Sequence, residues 1–584
     1  MEGLSGIVSF LEEWVLNKGL RFGDETIAWS IIALLGTGVF LTLRLGFIQL
    51  RRLGHGFGVT SGKYDDPTEP GDVSHFQALS TALSATVGIG NIAGVAIAIH
   101  WGGPGALFWM WVTAFLGMAT KYSEVVLAQH YREVHTDVGA SKWEGTVSGG
   151  PMYYIEKGLG PNWKWLAGFF AVMLGLTAFL TGNGIQANTL SDTMLSSFGV
   201  PRPVTGAISS LIVAAVILGG ITRIGRVTGV LAPLMAAIYV TGALVVIVLN
   251  IGQLIPSLSL ILREAFNPTA GVAGAGIGAI ITTMTWGVRR GLFSNEAGQG
   301  SAPIAHAAAK TDEPVSEGVV ALLEPFIDTI VICSMTGLVI IMTGVWDARH
   351  ATALSISGGD ASWIVAQEDG RIRQGEAPPA EFRVDNGVPA AAPGQPRYAW
   401  HEAAVDAFYT DPAQTQPFSG VIRGPEGRAV GDDGQVYTTL YGNAAESGAP
   451  LTTMAFEQGF GFTRAIAGDY IVILGVLLFA ISTAISWSYY GDRCANYLFG
   501  KRAVIPYRIV YVLMHFIGAV ATLDMIWRLG DVFLGVVILP NLLALLILSP
   551  KVAQLTRSYF ERKPWLDNEA VHRQLKEAKK KVGP

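Results

Sequence analysis

The stretch "ALSATVGIGNIAGVAIAIHWGGPGALFWMW", Ala82 to Trp111, is apolar enough to cross a membrane, yet it carries Gly88, Gly90, Gly94 and Asn91. Backbone that unwinds at membrane depth is tolerated only where it is buried in protein or lines a polar cavity. The stretch therefore predicts a helix interrupted over Thr86 to Asn91. Such a break presents free N–H groups to an anion and free carbonyls to a cation. An amino-acid zwitterion carries both charges, so the break suits a carboxylate on the N–H groups of Gly88 to Asn91, with the amine facing carbonyls near Trp286. Gly90 and Gly94 also form a small-xxx-small pair, which in other helices only permits close packing. Asn91 weighs toward a site, because an amide in an apolar span needs a partner. A dinucleotide-binding fingerprint is excluded: the spacing is wrong and no strand precedes.

Composition fits that setting. Of 584 residues 50% are hydrophobic and only 15% charged, with 71 glycines and a mean hydropathy of +0.41, the profile of a polytopic membrane protein in contact with lipid. A net charge of -5, segregated into loops, gives no reason to expect a nucleic-acid partner. The two cysteines, Cys333 and Cys494, support neither a disulfide framework nor a metal site and read as buried small hydrophobes. Residues 1–25 carry Glu2, Glu12 and Glu13, which argue against a signal peptide and for an interfacial amphipathic helix.

Windows of about 20 apolar residues predict eleven spans, near 26–48, 76–101, 104–130, 163–189, 203–222, 226–249, 269–308, 318–345, 467–492, 505–526 and 531–549. The window 269–308 contains Trp286, Gly287, Arg289, Arg290, Gly291, Asn295 and Glu296 and reads as a second interrupted crossing. Basic clusters follow alternate spans. That pattern predicts the N-terminus outside and the C-terminus, with the basic tail 550–584, in the cytoplasm. Residues 346–466 then lie outside as an insertion, small or loosely folded, with β-like runs such as "VYTTLY" and no catalytic constellation.

With the extra N-terminal span 26–48 set aside, the other ten divide into two fives, 76–249 and 269–345 plus 467–549, each opening on its interrupted helix. Paired interruptions of this kind point to a secondary transporter built from inverted repeats. At this point "FQALSTALSATVGIGNIAGVAIAIHWGGPGALFWMW" and "TWGVRRGLFSNEAGQGSAP" resemble the two hallmark segments of the alanine or glycine:cation symporter family, the sodium:alanine symporters. The resemblance implies an all-α polytopic membrane protein of the amino-acid/polyamine/cation superfamily, with eleven transmembrane helices in a LeuT-type five-plus-five inverted repeat plus one N-terminal helix.

The same resemblance implies site residues. Thr86, Gly88, Gly90 and Asn91 would contact substrate or a nearby ion, and the Ser84 and Val87 carbonyls would face a sodium ion whose opposite wall is span nine, "LLFAISTAISWSYYGDR". There Ala480, Thr483, Ala484 and Trp487 share one helical face. A hard cation takes oxygen ligands, so the Ala480 carbonyl and Thr483 hydroxyl serve sodium, with a substrate role for Thr483 equally open. Trp487 would wall the pocket or pack the core. Gln186, in "FLTGNGIQANTL", is the side chain expected to reach substrate, and Phe293, ahead of Trp286, is the expected side wall. Arg289 or Arg290, paired with Glu296 or Asp492, would form either a cytoplasmic gate or a permanent ion pair. Lys121 and Glu124 read as an i, i+3 surface pair.

The function expected is sodium-coupled symport of a small neutral amino acid, alanine or glycine, into the cell by alternating access, in the bacterial cytoplasmic membrane. Sodium is the coupling ion and no organic cofactor is called for; oligomeric state leaves no trace in the sequence. Proton coupling on the same fold is the alternative, and the spans offer no buried carboxylate placed at the breaks to support it. An enzyme lacks its catalytic cluster, and a sensor would need a better-patterned outer domain.

Overall fold

The computed structural model describes residues 18–22, 25–66, 68–134, 147–268, 277–356, 361–366, 372–373, 379–390, 395–400, 403–461, 468–521 and 523–582. It is mostly helical. Six helical stretches are long and apolar enough to cross a membrane: Pro161–Phe198, Gly220–Leu249, Pro314–Thr343, Gly468–Phe499, Lys501–Val520 and Val532–Arg562. The number rises to eight if two bent pairs each count as one span.

The helices that matter below are α1 (Trp29–Arg44), α2 (Ile48–Thr60), α3 (His75–Thr86), α4 (Val95–Gly102), α5 (Ala106–His130), α6 (Lys164–Phe179), α7 (Ile185–Phe198), α8 (Arg202–Ile217) and α9 (Gly220–Leu249). After these come α10 (Ile277–Asn295), α11 (Ala302–His306), α12 (Pro314–Ala321), α13 (Ser334–Thr343), α14 (Gly448–Phe460), α15 (Gly468–Phe499), α16 (Val504–Val520) and α17 (Leu523–Arg562).

Large apolar side chains face outward in numbers no water-soluble surface carries, among them Leu211, Val230, Val248, Leu513 and Leu539. The polar positions turn inward instead. Inside, α15 packs along α3, α6 and α9, while α10 packs along α5. Helix α3 begins on a capping box in which Ser74 and Gln77 satisfy each other's backbone N–H groups. Three π-helical turns interrupt the bundle: Gly90–Gly94, Leu180–Gly184 and Phe326–Cys333. Such turns re-aim side chains and gather at functional sites.

Two expectations change. Residues 1–17 of the predicted N-terminal helix lie outside the described residues, but Gly19–Phe22 and Glu25–Ala28 pair as an antiparallel hairpin instead of continuing a helix. The insertion is neither loose nor wholly separate. Its strands form a four-stranded and a five-stranded antiparallel sheet, around a core of Trp363, Phe382, Tyr398, Phe408, Phe418 and Leu440. The aromatic alternation that reads as β-like runs is that core. A ribbon of His350–Ser355 and Thr439–Ala444 closes the unit, and α14 then returns to the bundle between α13 and α15.

Candidate functional site

Helix α3 stops at Thr86. Val87 (φ -74°, ψ 88°) leaves the helical region, and the chain restarts through the Gly90–Gly94 turn with a bend of 55°. The break lies where the glycines of the opening stretch predict it. A Cβ on Gly88 would stand 2.8 Å from Thr483 Oγ1 and 3.5 Å from Gln186 Oε1, and one on Gly90 would stand 2.9 Å from the Phe293 ring. Gly94 meets only Arg290 Cδ, at 3.9 Å. Gly88 and Gly90 thus make room for three other elements at the break, whereas Gly94 is an ordinary packing position.

Thr483, Gln186, Phe293, Gly88 and Gly90 are brought together as expected, and Ser84 joins them: Thr483 Oγ1 donates to the Ser84 carbonyl at 3.0 Å and Ser482 Oγ to the same carbonyl at 3.4 Å. Ala480 precedes Thr483 by one turn and Val87 follows in the unwound segment. The set is all oxygen and wholly buried, which suits a hard monovalent cation. Ser84 Oγ, Thr181 Oγ1 and Gln186 Oε1 are buried with no hydrogen-bond partner among the described residues. Native proteins rarely leave such atoms idle. Thr86 is turned back on its own helix, its hydroxyl shared between the Ala82 and Leu83 carbonyls at 3.3 Å.

Asn91 is tied to protein groups on every side. Its Oδ1 accepts from the Gly88 N–H at 2.8 Å, and its Nδ2 donates to Asp328 Oδ1 at 2.6 Å and Ser294 Oγ at 3.0 Å, with Cys333 Sγ 3.3 Å away. Ser294 and Thr329 each donate to Asp328 Oδ2 at 2.7 Å. Asp328 is therefore a fully buried carboxylate one residue removed from the first break, which overturns the expectation that none is placed there. It sits in the Phe326–Cys333 π turn. Sequence reasoning missed it, although an acid alone inside the apolar run "FIDTIVICS" is the signal that marks such sites.

The second interruption lies inside the expected window, at its Glu296 end: among the described residues Trp286 to Phe293 lie in continuous helix, and the chain unwinds at Glu296 to Ser301, where Glu296, Gly298 and Gly300 have φ of 55°, 89° and 76°. Gly287 and Gly291 serve packing: a Cβ on Gly287 would stand 2.4 Å from the Ala106 carbonyl of α5. Trp286 stacks on Trp101 at 5.4 Å, and inside α10 its carbonyl serves the helix's own hydrogen bonds instead of an amine at the first break. The loop is pinned by the Gly300 N–H on Glu124 Oε1 (3.1 Å) and by Asn541 on the Gly298 carbonyl (2.9 Å).

Among the described contacts, Glu296 and Asp492, the acids of the expected gate, are held by other groups. Glu296 accepts from Ser301 Oγ at 2.5 Å and from Trp487 Nε1 at 3.0 Å. Asp492 is held by Arg493 and Arg508, at 2.8 and 2.6 Å. Arg290 lies over the Trp286 and Phe293 rings, and with Arg289 it lines a cavity of about 170 Å³ between α1, α10 and α17, on the far side of Phe293. Trp487 walls the Leu180–Gly184 turn, where a Cβ on Gly182 would overlap its ring at 2.3 Å. Lys121 does not pair with Glu124; it donates to Glu324 at 3.1 Å. Asn183 and Asn188 bind backbone of the α16 segment instead of facing the break.

A membrane bundle with an unwound helix ringed by buried oxygens defines a transporter for a small charged or zwitterionic solute. Comparison with known proteins agrees: the chain belongs to the sodium:alanine symporter family, whose model matches residues 14–360 and 435–573. It is similar to the sodium/alanine symporter AgcS of Methanococcus maripaludis, 40% identical over 91% of this chain and 94% of that one. It is also similar to the probable sodium/glutamine symporter GlnT of Bacillus subtilis, 31% identical over 92% of this chain and 89% of that one. Membership makes it an integral membrane protein that couples amino-acid movement to a cation, not an enzyme. The family match leaves out 361–434, most of the β unit.

Proposed function

We infer that the protein carries a small neutral amino acid, alanine or glycine, into the cell together with sodium, by alternating access around the two breaks. The observation that carries this reading is the crowding of Gly88 by Thr483 and Gln186 and of Gly90 by Phe293. It surrounds the break with buried hydroxyl and amide oxygen and one aromatic wall, the lining a small zwitterion and a hard cation call for. In this reading the substrate lies against Gly88, Gly90, Gln186, Phe293 and Trp487. Sodium lies between the Ser84 and Val87 carbonyls and the Ala480 carbonyl and Thr483 hydroxyl. Thr86 and Asn91 hold the break in shape instead of touching substrate.

Sodium draws α3 against α15, and substrate stabilises the same arrangement from the other side of the break. Each then raises the affinity for the other by an equal factor. The architecture that goes with this reading is the eleven-span, LeuT-type five-plus-five repeat with an extra N-terminal helix, N-terminus outside and C-terminus in the cytoplasm of a bacterial cell. One observation favours proton coupling as a second reading: Asp328, held by Asn91, Ser294 and Thr329, is a buried carboxylate where a driving proton could bind. The test is uptake of labelled alanine and glycine into proteoliposomes under a sodium gradient, and separately under a proton gradient alone. Sodium-driven uptake is expected. Uptake indifferent to sodium overturns the first reading, and uptake driven by protons alone installs the second.

A further inference from the structure

Five ionisable side chains form a continuous buried chain apart from the first break. Lys121 Nζ donates to Glu324 Oε2 at 3.1 Å; Glu324 Oε1 faces His306 Nε2 at 2.7 Å; His306 Nδ1 faces Glu317 Oε1 at 2.5 Å; Glu317 Oε2 meets His75 Nδ1. None of the five is more than 3% exposed. They come from separate pieces of the machinery. His75 is the first residue of α3, the leading half of the first broken helix, and His306 ends α11, the trailing half of the second. Glu317 and Glu324 stand on the helical stretch Pro314–Thr343 and Lys121 on α5.

The geometry fixes a proton count. A neutral imidazole has one N–H and one bare nitrogen, and an ionised carboxylate only accepts. His306 has a carboxylate oxygen at hydrogen-bond distance from each nitrogen, so either it is an imidazolium or one of the two carboxyls is protonated. In both cases the cluster holds one proton more than a neutral histidine between two carboxylates. Taken with a neutral His75, that proton brings the chain to zero: Lys121 and His306 against Glu317 and Glu324. Without it, a buried group carries a net negative charge, and a lone pair confronts a carboxylate.

The surrounding charges are mostly carboxylates. Toward Lys121 stand Glu124, bonded to the Gly300 N–H and Asn541, and Glu296, bonded to Ser301 and Trp487. Asp65 and Glu69 face His75. The Arg132 guanidinium, near Glu317 and among Glu69, Asp72 and Asp312, is engaged with the carbonyls of Pro70, Ala307, Ala309 and Thr311. None of these groups donates to His306.

We propose that His306, gripped between Glu317 and Glu324, is a proton-binding site that fastens the α3 and α11 halves of the two broken helices to their neighbours, and that release of its proton is a step in opening that face. The inference needs only alternating access and is independent of which cation drives transport. The test is exchange of labelled for unlabelled alanine in proteoliposomes with no ion gradient, with pH set separately on the two faces. In the wild type the rate is expected to rise with pH on one face only, by up to about tenfold per pH unit for a single proton. His306→Gln and Glu317→Gln, checked for intact folding, are expected to flatten the profile.

A wild-type profile flat on both faces, or an unchanged slope in a folded variant, overturns the proposal. If neither variant folds, infrared spectra of histidine-labelled wild type decide it. An imidazolium or protonated carboxyl band persisting above pH 8 supports the site, and loss of both overturns it. A one-sided slope without sodium-driven uptake would sink the sodium reading and leave this one standing; the reverse result would do the opposite.

Discussion

The two broken helices look alike in sequence, glycine-rich interruptions of apolar runs, but they are built on different physics. At the first, Gly88 and Gly90 keep ordinary backbone angles and are needed for lack of bulk, because Thr483, Gln186 and Phe293 crowd the positions their Cβ atoms would fill. At the second, Gly298 and Gly300 turn the chain through the left-handed region, and a ring of carboxylates and amides holds the loop. The first break is shaped by close approach of three neighbouring side chains. The second is shaped to hold a turn.

That contrast breaks most sharply under bulk at the second site. Gly300→Val should remove most folded protein: left-handed backbone at a side-chain-bearing residue costs about 1–2 kcal/mol, and its Cβ would lie 2.5 Å from Pro151 and 2.9 Å from Phe170. Yield and thermal stability in detergent read it. Gly88→Ala meets side chains instead of strained backbone and should cost less stability than Gly300→Val, about 1–3 kcal/mol of overpacking, while cutting alanine uptake by roughly ten- to a hundredfold, about 1.4–2.8 kcal/mol at the site; equal losses of stability at both glycines would erase the distinction. Thr483→Ala removes one hydroxyl and should weaken sodium activation by about tenfold, near the 1.5 kcal/mol typical of a bond to a charged group, with the maximal rate much less affected. Gly94→Ala, with only an ordinary contact at 3.9 Å, should stay within about twofold of wild type in uptake, as surface-like changes do.

Much of the first site was legible because its signals are local. Glycines beside an amide mark the break, and the spacing of Ala480, Thr483 and Trp487 marks one helical face. The second break was legible only as a window, because Gly287 and Gly291, lying among arginines, look like unwinding as much as Glu296 to Gly300 do; in space they only admit α5. Asp328 stands out as a lone acid in an apolar run, but its place at the first break does not. Its partners Asn91 and Ser294 lie far off in the chain, and no periodicity announces a π turn. The His75–Glu317–His306–Glu324–Lys121 chain is likewise assembled from distant pieces, and the Lys121–Glu124 spacing offered a false local partner. In the insertion, short strands separated by Gly- and Pro-rich turns hid how well the aromatics pack.

Helix α14 leaves the β unit and rests on the first broken helix, its Thr452 hydroxyl donating to the Ile92 carbonyl at 3.0 Å. The β unit is thereby geared to α4. Were that half of the broken helix to tilt, as alternating access requires, α14 would carry the tilt to the β unit, and a dye at an exposed position such as Val388 would turn it into an optical signal without touching the site itself.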